Sequence, residues 1–268
     1  MVRSVHRIFF LPVFVLALLL SSCATFEDTP APPEIALNPE AEPDHDRSFR
    51  GMYKGVLTTR SSSGMFKLDI KNSEDETILL NGSYRGAPFA LEGTEEYLTD
   101  EDEYRYSFQG TSAGDEYSIA FTTEISLQGE IDRANTSFTA DGESVHVNMM
   151  KEKADELIRV YEGRYTGDSE GTWNYIVREK AISGYYAGDG EDDFQGRFDS
   201  SSEALWVWGE NGRMLARGVI EDDGSTHGVW TYDEGASYSE NTPQSAYPPP
   251  DSNQEEGSSN RWTGERTL

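Results

Sequence analysis

The chain has 268 residues, with 49 Asp or Glu against 22 Lys or Arg, for a net charge of −27. Such a surface repels phosphate backbones and anionic headgroups; it excludes nucleic acid and favours cationic proteins or divalent cations as partners. A single cysteine excludes any disulfide within one chain, so the fold must rest on its core.

The chain opens with Arg3 and Arg7, followed by an uncharged apolar stretch from Ile8 to Leu20. That stretch is shorter than the roughly 18–20 residues that span a bilayer, and it has the three-part layout of a secretory signal. It ends in Leu20-Ser21-Ser22-Cys23: aliphatic, small, small, cysteine. The pattern resembles the lipobox of bacterial lipoproteins. The resemblance implies that residues 1–22 are removed as a signal peptide. It also implies that Cys23 takes a diacylglyceryl group on sulfur and an acyl group on its new amino terminus. Two or more chains anchor a protein stably in a membrane. In Gram-negative lipoproteins Asp after the cysteine tends to retain the protein in the inner membrane, so Ala24 implies the outer one.

Pro30, Pro32, Pro33, Pro39 and Pro43 crowd the next segment. Residues 23–48 therefore read as the lipid anchor plus a disordered tether, able to hold a folded part up to roughly 80 Å from the membrane. From Phe49 to Gly235 the only proline is Pro88. There, period-2 runs alternate with turn residues, which predicts short antiparallel strands. Met65–Ile70, Tyr104–Phe108 and Ser144–Val147 mark a first β unit over 49–150. Ala154, Leu157, Ile158 and Tyr161 fall at i, i+3, i+4 and i+7, which predicts a linker helix over 151–160. Trp173–Val177, Leu205–Trp208 and Val229–Tyr232 mark a second β unit over 161–236. Asp141-Gly142, Asn211-Gly212 and Asp223-Gly224 suit tight hairpin turns. Residues 237–260 form a low-complexity segment rich in Ser, Pro, Asn and Glu. Residues 261–268 form either a strand that returns to Tyr161–Thr166 and closes the second unit, or a frayed tail. The fold class is therefore all-β: two consecutive antiparallel meander or up-and-down barrel-like units.

The two units look like diverged copies. Tyr53-Lys54-Gly55 resembles Tyr161-Glu162-Gly163, Gly64-Met65-Phe66 resembles Gly171-Thr172-Trp173, and Asn81-Gly82-Ser83-Tyr84 resembles Ser183-Gly184-Tyr185-Tyr186. Further along, Phe108-Gln109-Gly110 pairs with Phe194-Gln195-Gly196, and Gly129-Glu130-Ile131 with Gly218-Val219-Ile220. The spacing shrinks along the chain, which predicts longer loops or an extra hairpin in the first unit. Gly beside a large ring makes room where a curved sheet closes on itself. Gly171-x-Trp173 also resembles the first-strand motif of lipocalins and avidin-like barrels, although here it falls on the second strand of its unit.

Candidate chemistry is sparse. Gly167-Asp168-Ser169-Glu170-Gly171 has the outline of a hydrolase nucleophile motif, but its flanks read as strands and His227 is the only later histidine. His45, His146 and His227 lack metal-ligand spacing. Asp100–Glu103, Asp189–Asp193 and Glu221–Ser225 are carboxylate-dense loops whose oxygens suit calcium, the one cofactor the composition leaves open. Trp173, Trp206, Trp208 and Trp230 are candidates either for core filling or for lining a ligand cavity.

The sequence thus points first to a non-enzymatic binding or structural module of the cell envelope, with a membrane and an envelope protein as partners. The alternatives are a lipocalin-like carrier of a small apolar ligand and an envelope hydrolase.

Overall fold

The computed structural model describes residues 30–73, 76–209, 214–232 and 260–268. The leader, Cys23, Ala24, the Asn211-Gly212 turn and nearly all of 237–260 lie outside the described residues.

The chain forms two closed antiparallel barrels of eight strands each. The first is β1 (Gly51–Thr58), β2 (Ser63–Ile70), β3 (Ile78–Tyr84), β4 (Ala87–Leu98), β5 (Glu103–Thr111), β6 (Ser118–Ser126), β7 (Ile131–Ala140) and β8 (Glu143–Lys151). Each strand pairs with the next, and β8 returns to β1. The second is β9 (Ile158–Thr166), β10 (Gly171–Arg178), β11 (Ala181–Ala187), β12 (Glu191–Asp199), β13 (Ala204–Gly209), β14 (Met214–Ile220), β15 (Ser225–Tyr232) and β16 (Arg261–Arg266). Residues 261–266 do return: Arg261 sits opposite Thr166 and Arg266 opposite Tyr161, so β16 closes the barrel between β15 and β9. Asp141 (φ 51°) and Gly142 (φ 78°) both adopt the left-handed backbone needed by the tight hairpin turn between β7 and β8.

Inward positions alternate rings with glycines. In the first barrel a Cβ on Gly55 would lie 2.3 Å from Phe66 Cζ. In the second, a Cβ on Gly184 would lie 2.3 Å from Phe194 Cζ. Any larger residue there would displace a core ring, so closure of each small barrel depends on these pairs. The first three sequence resemblances fall on corresponding strands, β1 with β9, β2 with β10 and β3 with β11. The last two do not. Phe108 lies on a fifth strand and Phe194 on a fourth; Gly129 precedes a seventh strand and Gly218 lies in a sixth. Register supplies the true counterpart, because Phe89 pairs with Gly82 as Phe194 pairs with Gly184. Both barrels have eight strands, so there is no extra hairpin. The first barrel is larger through longer strands such as the 12-residue β4.

The predicted linker helix does not form. β8 runs to Lys151, a turn bridges Lys153 to Glu156, and β9 starts at Ile158. The helical spacing of Ala154, Leu157, Ile158 and Tyr161 is overridden because Ile158 and Val160 share one strand face and are buried between the barrels. That contact joins Val56 and Met65 of the first barrel to Ile158, Val160, Ile176 and Leu268 of the second. β1 is consequently buried along its whole length and β10 from Thr172 to Val177. Polar groups in the seam are paired. Asn174 donates to Leu57 O and Thr58 Oγ1 (3.1 and 2.9 Å) and accepts from Ser63 Oγ (3.0 Å). Asn148 donates to Ser183 (3.1 Å), and the His146 ring stacks on Tyr185 at 3.5 Å.

The tether is also shorter than its prolines suggest. Residues 36–46 form a strap bonded to both barrels. Glu40 N–H donates to Glu152 Oε2 (2.8 Å), Glu42 N–H to Asn72 Oδ1 (3.0 Å), Ala154 N–H to Asp46 Oδ1 (3.0 Å), and Arg266 to Ala36 O. The cause is charge as well as backbone pairing: the Glu40 carboxylate meets Lys54 at 2.9 Å and Lys67 at 2.7 Å. Burial alone would raise the Glu40 carboxyl, but hydrogen bonds from Lys67 and Lys54 outweigh it and hold it below the usual carboxylate range.

Strand pairing places Glu162 directly opposite Glu265. Burial pushes the Glu162 carboxyl up to about 7; a hydrogen bond with Thr267 opposes this, and the charge of Glu265 adds to it. A carboxyl raised in the folded state penalises folding progressively as pH rises from about 4.5 to about 7, and fully above that. Glu162→Gln should therefore stabilise the protein at pH 8 by about 1–2 kcal/mol and leave stability at pH 4 unchanged. Urea titrations at the two pH values check this; an equal effect at both would refute it.

Candidate functional site

The four tryptophans singled out in the sequence go to two different places. Trp173 and Trp230 point into the second barrel. Trp173 stacks on Phe194 (ring centroids 4.2 Å apart) and on Trp262 (5.7 Å). Trp230 packs edge-on against Tyr165 and donates its Nε1–H to Thr166 O (3.0 Å). These rings fill the barrel interior with one another. Trp206 and Trp208 are different: Leu205 and Val207 take the inward positions of β13, so the two tryptophans face outward yet are only 7% exposed. Register puts Trp206 between Arg197 and Arg217. Neither Trp206 nor Trp208 belongs to a barrel lumen.

Ser169 and His227 do not converge. Ser169 Oγ donates to Asp189 Oδ2 (3.2 Å) in an exposed hairpin region. His227 pairs across the sheet with Val219 and Thr263, and its Nε2 lies 3.9 Å from Glu221. Each has a carboxylate of its own, and no Ser–His hydrogen bond joins them among the described residues.

The carboxylate-dense loops also diverge in use. Asp189 pairs with Arg60 across the seam at 2.5 Å, and Asp193 lies 3.5 Å from His146. The hydrogen bond with His146 holds the Asp193 carboxyl below its ordinary range against the opposing effect of burial. Asp223 accepts the Ser225 N–H (2.8 Å) and shapes the β14–β15 turn. The Asp100–Glu103 loop gains an outside carboxylate at close range: Glu101 and Glu103 lie beside Glu124 of β6. The sequence reading missed Glu124, because a lone Glu far along the chain in a strand carries no spacing signal.

A cleft of about 600 Å³ opens at one end of the second barrel. Tyr161, Phe198 and Ile220 line it on the barrel side, and Ile35, just before the strap, and Leu37 within it line the other. Ile35 and Leu37 are exposed at 49% and 77%, unusual for aliphatic side chains on so charged a protein. Arg159 sits 4.8 Å above the Phe198 ring, and Arg266, which donates to Leu268 O (2.9 Å), is its neighbour in the cleft. Burial and the nearby Arg159 charge weaken the hold of Arg266 on its proton, against the attraction of Tyr161. Glu203, Glu221, Asp222 and Asp223 also line the cleft. An apolar wall with both charge signs beside it suits an amphipathic partner.

No protein-family model matches this chain, and neither curated proteins nor solved structures yield a match.

Proposed function

We propose that this chain is a lipid-anchored envelope lipoprotein whose twin barrel is a non-enzymatic binding or structural module. The observation that carries the reading is the ring-filled second barrel joined to the first across a buried seam. A rigid body of that kind offers its outer surface, and above all the cleft at Ile35, Leu37 and Phe198, for contact with another envelope component. The filled interior weighs against a carrier of a small apolar ligand, and the separate partners of Ser169 and His227 weigh against hydrolysis.

In this reading Cys23 is the anchor, Ala24 directs the protein to the outer membrane, and the barrel's acidity keeps it off anionic headgroups and nucleic acid. The strap changes the geometry of anchoring. From Cys23 to Ala36, where the strap begins, an extended chain spans at most about 47 Å, so the barrels stay nearer the bilayer than at the end of a free tether reaching residue 48.

Cys23→Ser should abolish incorporation of labelled palmitate and move the protein from the membrane to the soluble fraction, with thermal stability unchanged. Membrane retention of that variant would overturn the anchor. For the module, a photo-crosslinking residue at Leu37 should give an envelope adduct in intact cells, and one at the Gly142 turn should not. Equal labelling at both positions, or none at Leu37, would remove the cleft as the contact surface.

A further inference from the structure

On the outer face of the first barrel, β5 and β6 pair so that Arg105 lies opposite Glu124. An irregularity between Thr122 and Glu124 then brings Glu124 opposite Asp132 on β7. The turn after β4, closed by Glu101 N–H to Leu98 O, brings Glu101 and Glu103 to the same place. Oxygens of Glu101, Glu103 and Glu124 lie within 4.8 Å of one another. Glu124 is only 2% exposed. Its Oε1 accepts from Arg105 Nε at 2.8 Å and is approached by Nη2 at 2.6 Å. Its Oε2 is buried and accepts no hydrogen bond among the described residues. A buried carboxylate oxygen without a donor is costly, and such groups are normally paired or coordinate a metal. Arg105, which also meets Glu96 at 3.5 Å, is the cation paired with this group of acids among the described residues.

We propose that Glu101, Glu103 and the free oxygen of Glu124 bind a divalent cation of the calcium type. The donors are all hard carboxylate oxygens with no imidazole or thiolate among them, which selects calcium-like ions over zinc. One ligand is fixed by Arg105 in a sheet and another rides on an exposed turn. That mixture suits the adaptable coordination of calcium better than the strict octahedron of magnesium. With three side-chain ligands the site belongs with extracellular calcium modules that bind at about 10⁻⁴–10⁻³ M. The ion would supply the positive charge that Oε2 lacks and tie the β4–β5 turn to the barrel wall.

The test is calorimetric titration of the full chain, purified in detergent, with calcium chloride at pH 7.5 in physiological salt. One saturable site is expected. Glu101→Gln and Glu103→Gln should each weaken it by about tenfold or more, and Asp222→Asn in the Glu221–Ser225 loop should not. Glu101 is exposed, so its variant keeps the question open to refutation even if Glu124→Gln fails to fold. The absence of saturable binding up to about 10 mM, well above the range of such modules, would overturn the site. So would equal affinity in wild type, Glu101→Gln and Glu103→Gln. Cys23→Ser should leave the titration unchanged, which separates this site from the anchoring proposal.

Discussion

Lys54→Met should cost about 3–5 kcal/mol of stability, because it strands a buried carboxylate. Lys54 points out of β1 and, in an isolated barrel, would reach water. The strap and the second barrel close over it, and both Lys54 and Glu152 have no side-chain exposure. Lys54 Nζ donates to Glu152 Oε1 at 2.7 Å; the same oxygen accepts Ile158 N–H at 3.0 Å, and Oε2 accepts Glu40 N–H at 2.8 Å. One carboxylate therefore ties the first barrel, the first strand of the second, and the strap. Removing the ammonium leaves that charge desolvated with only neutral donors. The double variant Lys54→Met/Glu152→Leu should recover much of the loss, since an apolar pair avoids desolvating either charge. Urea denaturation at pH 7 measures both. A single-variant loss under about 1 kcal/mol would mean the pair behaves like an exposed ion pair, and the seam would not be dry.

Trp262→Ala should cost a further class of energy, about 3–5 kcal/mol, through a cavity at the point of barrel closure. Trp262 is 1% exposed, stacks on Trp173 and meets Tyr175 edge-on at 6.5 Å. Its ring fills the space that Gly218 and Gly228 leave open: a Cβ at Gly218 would lie 2.5 Å from Trp262 Cζ2. No other residue of β16 is a large core ring, so the strand's hold on β9 and β15 rests on backbone pairing and this one side chain. The loss should appear in urea denaturation, with near-ultraviolet circular dichroism reporting the second barrel's aromatic packing. A variant that keeps wild-type stability would show that β16 is not needed to close the barrel.

Much of the architecture was readable from residue order. Period-2 runs such as Met65–Ile70 and Trp173–Val177 became strands because alternation needs only local backbone geometry and a buried face. The Gly–ring pairs pointed to strongly curved, barrel-like sheets, since a ring and a side chain cannot share one inward site, and strand pairing shows that both sheets close. The helix forecast over 151–160 failed because the helical spacing of Ala154, Leu157, Ile158 and Tyr161 is local, whereas the partner barrel buries Ile158 and Val160 as one face of a strand. The tether expectation does not hold over residues 36–46, because proline content reports backbone stiffness and does not reveal that Glu40 would meet Lys54 and Lys67.

The functional groups were less legible. Glu124 joins Glu101 and Glu103 only through β5–β6 register and an irregularity opposite β7. Trp206 and Trp208 were recognisable as sharing one strand face, but nothing local says which face is inward. By itself the sequence determined the strand pattern, the acidic surface and the aliphatic, small, small, cysteine order that ends at Cys23; it left residues 261–268 open between a closing strand and a tail, and strand pairing decided for closure. Tertiary structure alone decided which outward faces are covered, because that depends on where a second barrel about a hundred residues away comes to rest. Lys54, Glu152, Asn174 and Glu124 owe their burial to neighbours distant in sequence, and burial is what gives their charge or polarity a consequence.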